Sequence, residues 1–307
     1  MTSWQARTMK AYMRFDRWRN PPAEKLDVAQ SRAWFETNVS RIAPRLEVRV
    51  ESLEAGGVPV EWIEPPGASA DRVVFYVHGG AYCVGSASAY RGLAGSIAQA
   101  AGARALVVDY RLAPEHPFPA AIEDVETAYH WLVGEGVSPE QVALAGDSAG
   151  GGLLLALLAS LRDAGQPLPV AAACLSPWTD LAFSGASWRT HARRELVLNR
   201  TTMGQMAHAY LGDADPKTFR ASPHYAEVEG FPPLLIQVGS EEVLLSDAQA
   251  LAEKAEAAGV PVDLVVWEGM YHVWHLGSRT VPEARRAIKR IGDWLQHRWA
   301  EVGDHAA

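Results

Sequence analysis

Gly146-Asp147-Ser148-Ala149-Gly150 follows Gln141-Val142-Ala143-Leu144-Ala145 and precedes Gly151-Gly152-Leu153-Leu154-Leu155-Ala156-Leu157-Leu158. The first apolar run has the length of a buried strand, and the second opens an apolar helix. A strand, a G-x-S-x-G turn and a helix make a nucleophile elbow, in which a serine hydroxyl is held exposed on a strained backbone. The glycines are needed because so tight a turn leaves no room for side chains. G-x-S-x-G alone is a weak pattern; its placement between strand and helix gives it force.

Working outward, Arg72-Val73-Val74-Phe75-Tyr76-Val77 reads as a strand that runs directly into His78-Gly79-Gly80-Ala81-Tyr82. A glycine loop after such a strand can aim backbone N–H groups at a developing oxyanion, as can the amide of the residue after the nucleophile. Gly79, Gly80 and Ala149 are therefore the expected oxyanion donors. His78 is a candidate base, but its place ahead of the loop suits holding the loop by hydrogen bonds.

Beyond residue 45, Arg45–Leu53 and Val58–Glu64 read as an antiparallel pair about an Ala55-Gly56-Gly57 turn. Strands are expected near 72–77, 105–108, 142–145, 171–175, 234–238 and 262–266. Helices are expected near 88–101, 120–134, 150–164, 247–258 and 282–299. This alternation predicts an α/β fold, an eight-stranded mostly parallel sheet with helices on both faces and functional loops at the strands' C-terminal ends. Residues 1–44 read as N-terminal cap helices. Residues 45–307 read as the catalytic domain, with a helical cap insertion at about 182–210. No internal repeat or flexible linker interrupts the chain.

A serine nucleophile needs a base, and the base needs a carboxylate to fix its tautomer. With an elbow of this kind the chain order is serine, acid, histidine. After the strand Asp263–Trp267 come His272 and His275, and after Leu234–Val238 come Glu241, Glu242 and Asp247. Asp247 starts a helical stretch and reads as an N-terminal helix carboxylate, and Glu241 reads as facing solvent.

The pairing of His78-Gly79-Gly80 with Gly146-Asp147-Ser148-Ala149-Gly150-Gly151 resembles the hormone-sensitive lipase family of α/β-hydrolases, the bacterial carboxylesterase branch. Asp109-Tyr110-Arg111-Leu112-Ala113-Pro114-Glu115, Pro117-Phe118-Pro119-Ala120, Ser176-Pro177-Trp178-Thr179-Asp180-Leu181 and Ala221-Ser222-Pro223 carry the same resemblance. It spans residue 45 to the C-terminus. The resemblance implies that His272 is the base and Glu242 the acid, since the family has a carboxylate two residues before a leucine such as Leu244. There the family usually has aspartate, and it commonly has a third glycine where this chain has Ala81. The implied activity is hydrolysis of short- to medium-chain carboxylic esters through an acyl-enzyme on Ser148. Lactone hydrolysis on the same triad is the alternative. Some plant hormone receptors resemble this family without the base and only bind a small acid; here the serine, the histidine and a candidate acid are all present.

Composition sets limits. A chain of 307 residues can bury one large α/β core. Its net charge of −8 argues against a nucleic-acid partner. Cys83 and Cys174 form no disulfide framework and read as buried thiols. No metal-ligand spacing, Walker motif or dinucleotide fingerprint occurs, so no cofactor is implied. Residues 1–20 lack the apolar run of a secretion signal, and no stretch reaches the roughly 18 apolar residues of a membrane span. A cytoplasmic enzyme with a small-molecule ester substrate and no stable membrane insertion is expected, and edge-strand homodimerisation stays open. Trp4, Ala11, Phe15 and Trp18 recur at helical spacing. The Pro21-Pro22 break favours a lid helix, with Trp4, Tyr12, Phe15, Trp18, Trp34 and Phe35 lining the acyl pocket. A basic helix lying on a membrane surface is the competing reading.

Overall fold

The computed structural model describes residues 2–19 and 25–306. Helices α1 (Trp4–Arg19) and α2 (Val28–Ile42) come first. Asp27 caps α2, its side chain accepting from the Gln30 amide at 2.9 Å. The Pro21-Pro22 break lies outside the described residues.

Eight strands follow: β1 (Arg49–Ala55), β2 (Val58–Glu64), β3 (Ser69–Val77), β4 (Ala103–Val108), β5 (Val142–Asp147), β6 (Ala171–Leu175), β7 (Leu234–Gly239) and β8 (Val262–Trp267). Their spatial order is β1-β2-β4-β3-β5-β6-β7-β8. β2 pairs antiparallel with β1 and β4, and every other pairing is parallel. The sequence places the first hairpin turn at Ala55-Gly56-Gly57, whereas Ala55 instead pairs with Val58. Gly56 and Gly57 alone form the turn, with φ of 62° and 91°. Two successive positive φ values are what a two-residue hairpin needs to match strand twist, and glycine adopts them without strain.

Helices α3 (Ala87–Ala101), α4 (Ala120–Gly134), α5 (Ala149–Asp163), α6 (Ser187–Thr190), α7 (Arg200–Leu211), α8 (Leu245–Ala257) and α9 (Pro282–Ala306) complete the fold. The side-chain alternation of β3 divides the core. Val73, Phe75 and Val77 join the layer under α4, α5 and α8, while Val74 and Tyr76 join the layer under α3 and α9. Because both faces are covered, the buried stretches of the central strands are mostly apolar. Leu153, Leu154, Leu155, Leu157 and Leu158 of α5 are all buried. At about 1.5–3 kcal/mol per buried leucine, α5 is a stiff support for whatever its first residue presents. Both cysteines are buried free thiols.

Candidate active site

The β5–α5 junction places Ser148 at φ 52° and ψ −119°, a conformation that costs an L-residue about 1–3 kcal/mol. Neighbouring backbone enforces it: the Ser148 amide donates to the Leu175 carbonyl at 2.9 Å, and the Ser148 carbonyl accepts from the Trp178 amide at 2.9 Å. The sequence suggests an exposed hydroxyl, yet the residue is only 5% exposed. The site is covered.

Loops after β7 and β8 bring two further candidates to this serine. His272 Nε2 lies 3.0 Å from Ser148 Oγ, and His272 Nδ1 lies 2.8 Å from Glu242 Oε2. Glu242 is fully buried, and its Oε1 accepts from the Gly239 amide at 2.6 Å and from Ser176 Oγ at 2.7 Å. Ser176 Oγ in turn accepts from the Val273 amide at 3.3 Å, linking the acid and histidine loops. The longer glutamate side chain is thus fixed at both oxygens. Burial pulls the His272 pKa down. The hydrogen bond and charge of Glu242, with the fields of Glu195 and Asp147, outweigh it and leave the pKa raised.

The alternatives are held elsewhere. His275 is buried with Nε2 at 2.9 Å from Gln237 Oε1, and burial lowers its pKa to about 3, so it stays neutral. Asp247 lies inside α8, which begins at Leu245, and does not cap its own helix. Its Oδ2 accepts from the Thr179 and Asp180 amides, each at 3.1 Å. Glu241 does not simply face solvent: Lys10 Nζ of α1 pairs with it at 2.6 Å. The same ammonium donates to the Gly269 carbonyl at 3.1 Å, so one buried lysine spans the loops that carry Glu242 and His272.

The oxyanion loop departs from expectation at one position. The Gly79 amide already donates to Asp147 Oδ1 at 3.0 Å, which leaves it no hydrogen for a substrate. Asp147 is buried and also accepts from Tyr76 OH at 2.8 Å and Tyr90 OH at 2.9 Å. Burial raises its pKa to about 6 against these three donors. Among the described residues, no protein acceptor takes the amides of Gly80, Ala81 or Ala149. Gly80 has φ 125°, and a Cβ there would collide with the Val84 carbonyl. Ala81 sits at φ 51° where a glycine would be unstrained. His78 braces this loop: Nδ1 is 2.7 Å from the Gly79 carbonyl, and the ring stacks on Tyr110 with centroids 4.3 Å apart. Tyr110 OH donates to the His78 carbonyl at 2.9 Å, which explains the Asp109–Glu115 motif next to the loop.

Glu195 is a residue that sequence reasoning missed. It lies in the 182–210 insertion, buried, and its Oε2 accepts from the amide of Val243, directly after Glu242, at 3.0 Å. Its Oε1 accepts from the Val197 amide at 2.8 Å and the Leu198 amide at 3.2 Å. Burial raises its pKa. No motif flags it, because its partner is 48 residues away in sequence. From the same insertion, Tyr210 of α7 stacks on Tyr82 with centroids 3.8 Å apart, and Gln205 accepts from the Leu26 amide at 2.6 Å. The insertion therefore touches both the oxyanion loop and the N-terminal segment. Of the aromatics expected to line a pocket, Trp4, Tyr12, Phe15, Trp18 and Trp34 are instead exposed, and Phe35 stacks on Tyr90. The inner positions of α1 are small or flexible, so its large rings have nowhere to go but outward. Among the described residues, no group of three His, Cys, Asp or Glu could hold a metal ion. No helix among them is long and apolar enough to cross a membrane.

This geometry accords with known proteins. A family model for the alpha/beta hydrolase fold matches residues 74–276. An acetyl-hydrolase of Streptomyces hygroscopicus is 48% identical over 244 residues, which is 80% of this chain and 81% of the relative. A crystal structure of EstE5 soaked with p-nitrophenyl butyrate is 40% identical with a TM-score of 0.92, covering 97% of this chain and 99% of that one. An esterase from the bacterial hormone-sensitive lipase family matches with the same TM-score and coverage at 43% identity. With the elbow, the glycine loop and the sheet order on the same chain, this protein belongs to the α/β-hydrolase fold family, in its bacterial hormone-sensitive lipase branch.

Proposed function

We propose that this protein is a serine carboxylesterase acting on short- to medium-chain esters. The observation that carries the reading is the unbroken line from Ser148 Oγ through His272 to Glu242, at 3.0 and 2.8 Å. His272 Nε2 takes the Ser148 proton as Oγ attacks the ester carbonyl, while Glu242 accepts from Nδ1–H and stabilises the imidazolium. The amides of Gly80, Ala81 and Ala149 stabilise the tetrahedral oxyanion. Collapse breaks the C–O bond to the alcohol, which leaves with the proton from His272. Water, deprotonated by His272, then attacks the acyl-enzyme and releases the acid and Ser148. No cofactor enters these steps.

The cap is part of the proposal. The inward sides of α1 and α2, with the 182–210 insertion, cover Ser148 and exclude water from the acyl-enzyme. The low exposure of Ser148 and His272 supports this, as does the contact of α7 with the oxyanion loop. The acetyl-hydrolase name of the Streptomyces relative and the butyrate ester used with EstE5 support a short acyl group. A panel of nitrophenyl esters of rising chain length, with lactones and amides, tests the reading. Burst kinetics with kcat/KM greatest at about four to eight acyl carbons is expected. Faster turnover of lactones, or no turnover of any ester, overturns it.

A further inference from the structure

We propose that the outward face of α1 is a docking surface for an anionic lipid bilayer. The helix has two unlike sides. Ala6, Met9, Lys10 and Met13, at spacings of three and four, turn inward onto Met270, Tyr271 and Trp274. Trp4, Tyr12, Phe15 and Trp18 turn outward, 66%, 62%, 54% and 79% exposed. Among the described residues, no burial accounts for four large rings left in water at that cost. Phe15 and Trp18 lie 6.0 Å apart between centroids, so they form one patch.

The charge around the patch says what covers it. Arg7, Arg14 and Arg19 are exposed on the same helix, and its one acidic residue, Asp16, is half-buried. A chain of net charge −8 thus carries a helix whose aromatic face is rimmed by cations and which has no exposed carboxylate of its own. Tryptophan and tyrosine suit the headgroup layer, where a ring meets apolar chains and its polar edge meets water. Arginines at that depth meet anionic headgroups. A second copy of this chain fits less well. A two-fold contact through this face would set three arginines against the same three with no carboxylate to pair them. The inner face of α1 holds the loops of Glu242 and His272 through Lys10, so docking would bring the site close to the lipid surface.

The test uses the full-length protein in vesicle flotation, comparing phosphatidylcholine with phosphatidylcholine–phosphatidylglycerol vesicles. Wild type should bind the anionic vesicles at least about tenfold more tightly than the neutral ones, and half-molar salt should weaken that binding. The triple variant Trp4→Ser, Phe15→Ser, Trp18→Ser and the triple variant Arg7→Gln, Arg14→Gln, Arg19→Gln should each lose about tenfold or more. Both should keep wild-type melting temperature and wild-type hydrolysis of a soluble acetate ester. No binding to anionic vesicles, or binding that survives the aromatic variant, overturns the proposal. So does a wild-type dimer that the aromatic variant splits, since the face is then a self-interface.

Discussion

Ser148 and Trp18 mark two opposite ways of using a side chain. Ser148 is 5% exposed on a strained backbone, with donors, acceptors and glycines from several strand ends fixing its surroundings. Trp18 is 79% exposed on a regular helix, its ring beside that of Phe15. Between them run two polar connections from the inner side of α1: Lys10, bonded to both the acid loop and the histidine loop, and Arg17, whose guanidinium donates to the Glu195 carbonyl. α1 thus serves the site through its inward residues, Lys10 and Arg17 among them, rather than through its aromatics. Substitutions should therefore fall into a steep hierarchy: very large at the elbow, moderate at Lys10, and near zero for soluble substrates on the outer face.

The largest effect belongs to the nucleophile and base. Ser148→Ala or His272→Ala should each lower kcat by about 10⁴–10⁶, with the double variant little worse because the pair acts as a unit. Additive losses in steady-state kinetics would separate the two residues. Next, Glu242→Gln should lower kcat by about 10²–10⁴, as removing the orienting carboxylate of a serine triad does. If Asp247→Asn does the greater damage, the acid is wrongly placed. Gly80→Ala should then cost about 10²–10³ in kcat, the value of one oxyanion donor, because the new Cβ meets the Val84 carbonyl and turns the amide away. Unchanged kcat with a folded circular dichroism spectrum would remove Gly80 from the hole.

Smaller effects probe the link between the two regions. Lys10→Met should lower kcat roughly tenfold with little change in KM, less than the ~10² that a 1 Å misplacement can cost. Lys10→Arg should restore most of the loss, and a rise in KM alone would mean the lysine does not act through the site loops. The smallest effect is a shift along the pH axis. His272 must be neutral to act, so kcat/KM should climb as pH rises through its pKa, which Glu242, Glu195 and Asp147 hold up against burial. Glu195→Gln removes one of those negative fields, so the midpoint of the acidic limb should move to lower pH. Loss of amplitude at a fixed midpoint would make Glu195 a purely structural brace.

The legible parts of this molecule are local. The elbow was readable because strand, turn and helix are contiguous, and β3 because its apolar run ends in glycines. Chain order and loop position narrow the base to His272 or His275 and the acid to Glu241, Glu242 or Asp247, and only the family resemblance singles out His272 and Glu242. What stayed hidden depends on long-range side-chain reach. Asp147 occupies the Gly79 amide across 68 residues, which no spacing rule conveys. Lys10 meets Glu241 across 231 residues, a pairing that no local spacing conveys. The aromatics of residues 4–18 showed helical periodicity, but periodicity cannot say which of two stripes faces inward. Ala6, Met9 and Met13, with Lys10, take that role, and the rings lie outside.

In the proposed mechanism Ser148 carries the acyl group. Intact-mass and peptide mass spectrometry after treatment with a fluorophosphonate probe tests it most directly. One adduct per chain on the peptide containing Ser148, abolished in Ser148→Ala and strongly slowed in His272→Ala, is the predicted result. An adduct on another residue, or full ester hydrolysis by Ser148→Ala, would contradict it.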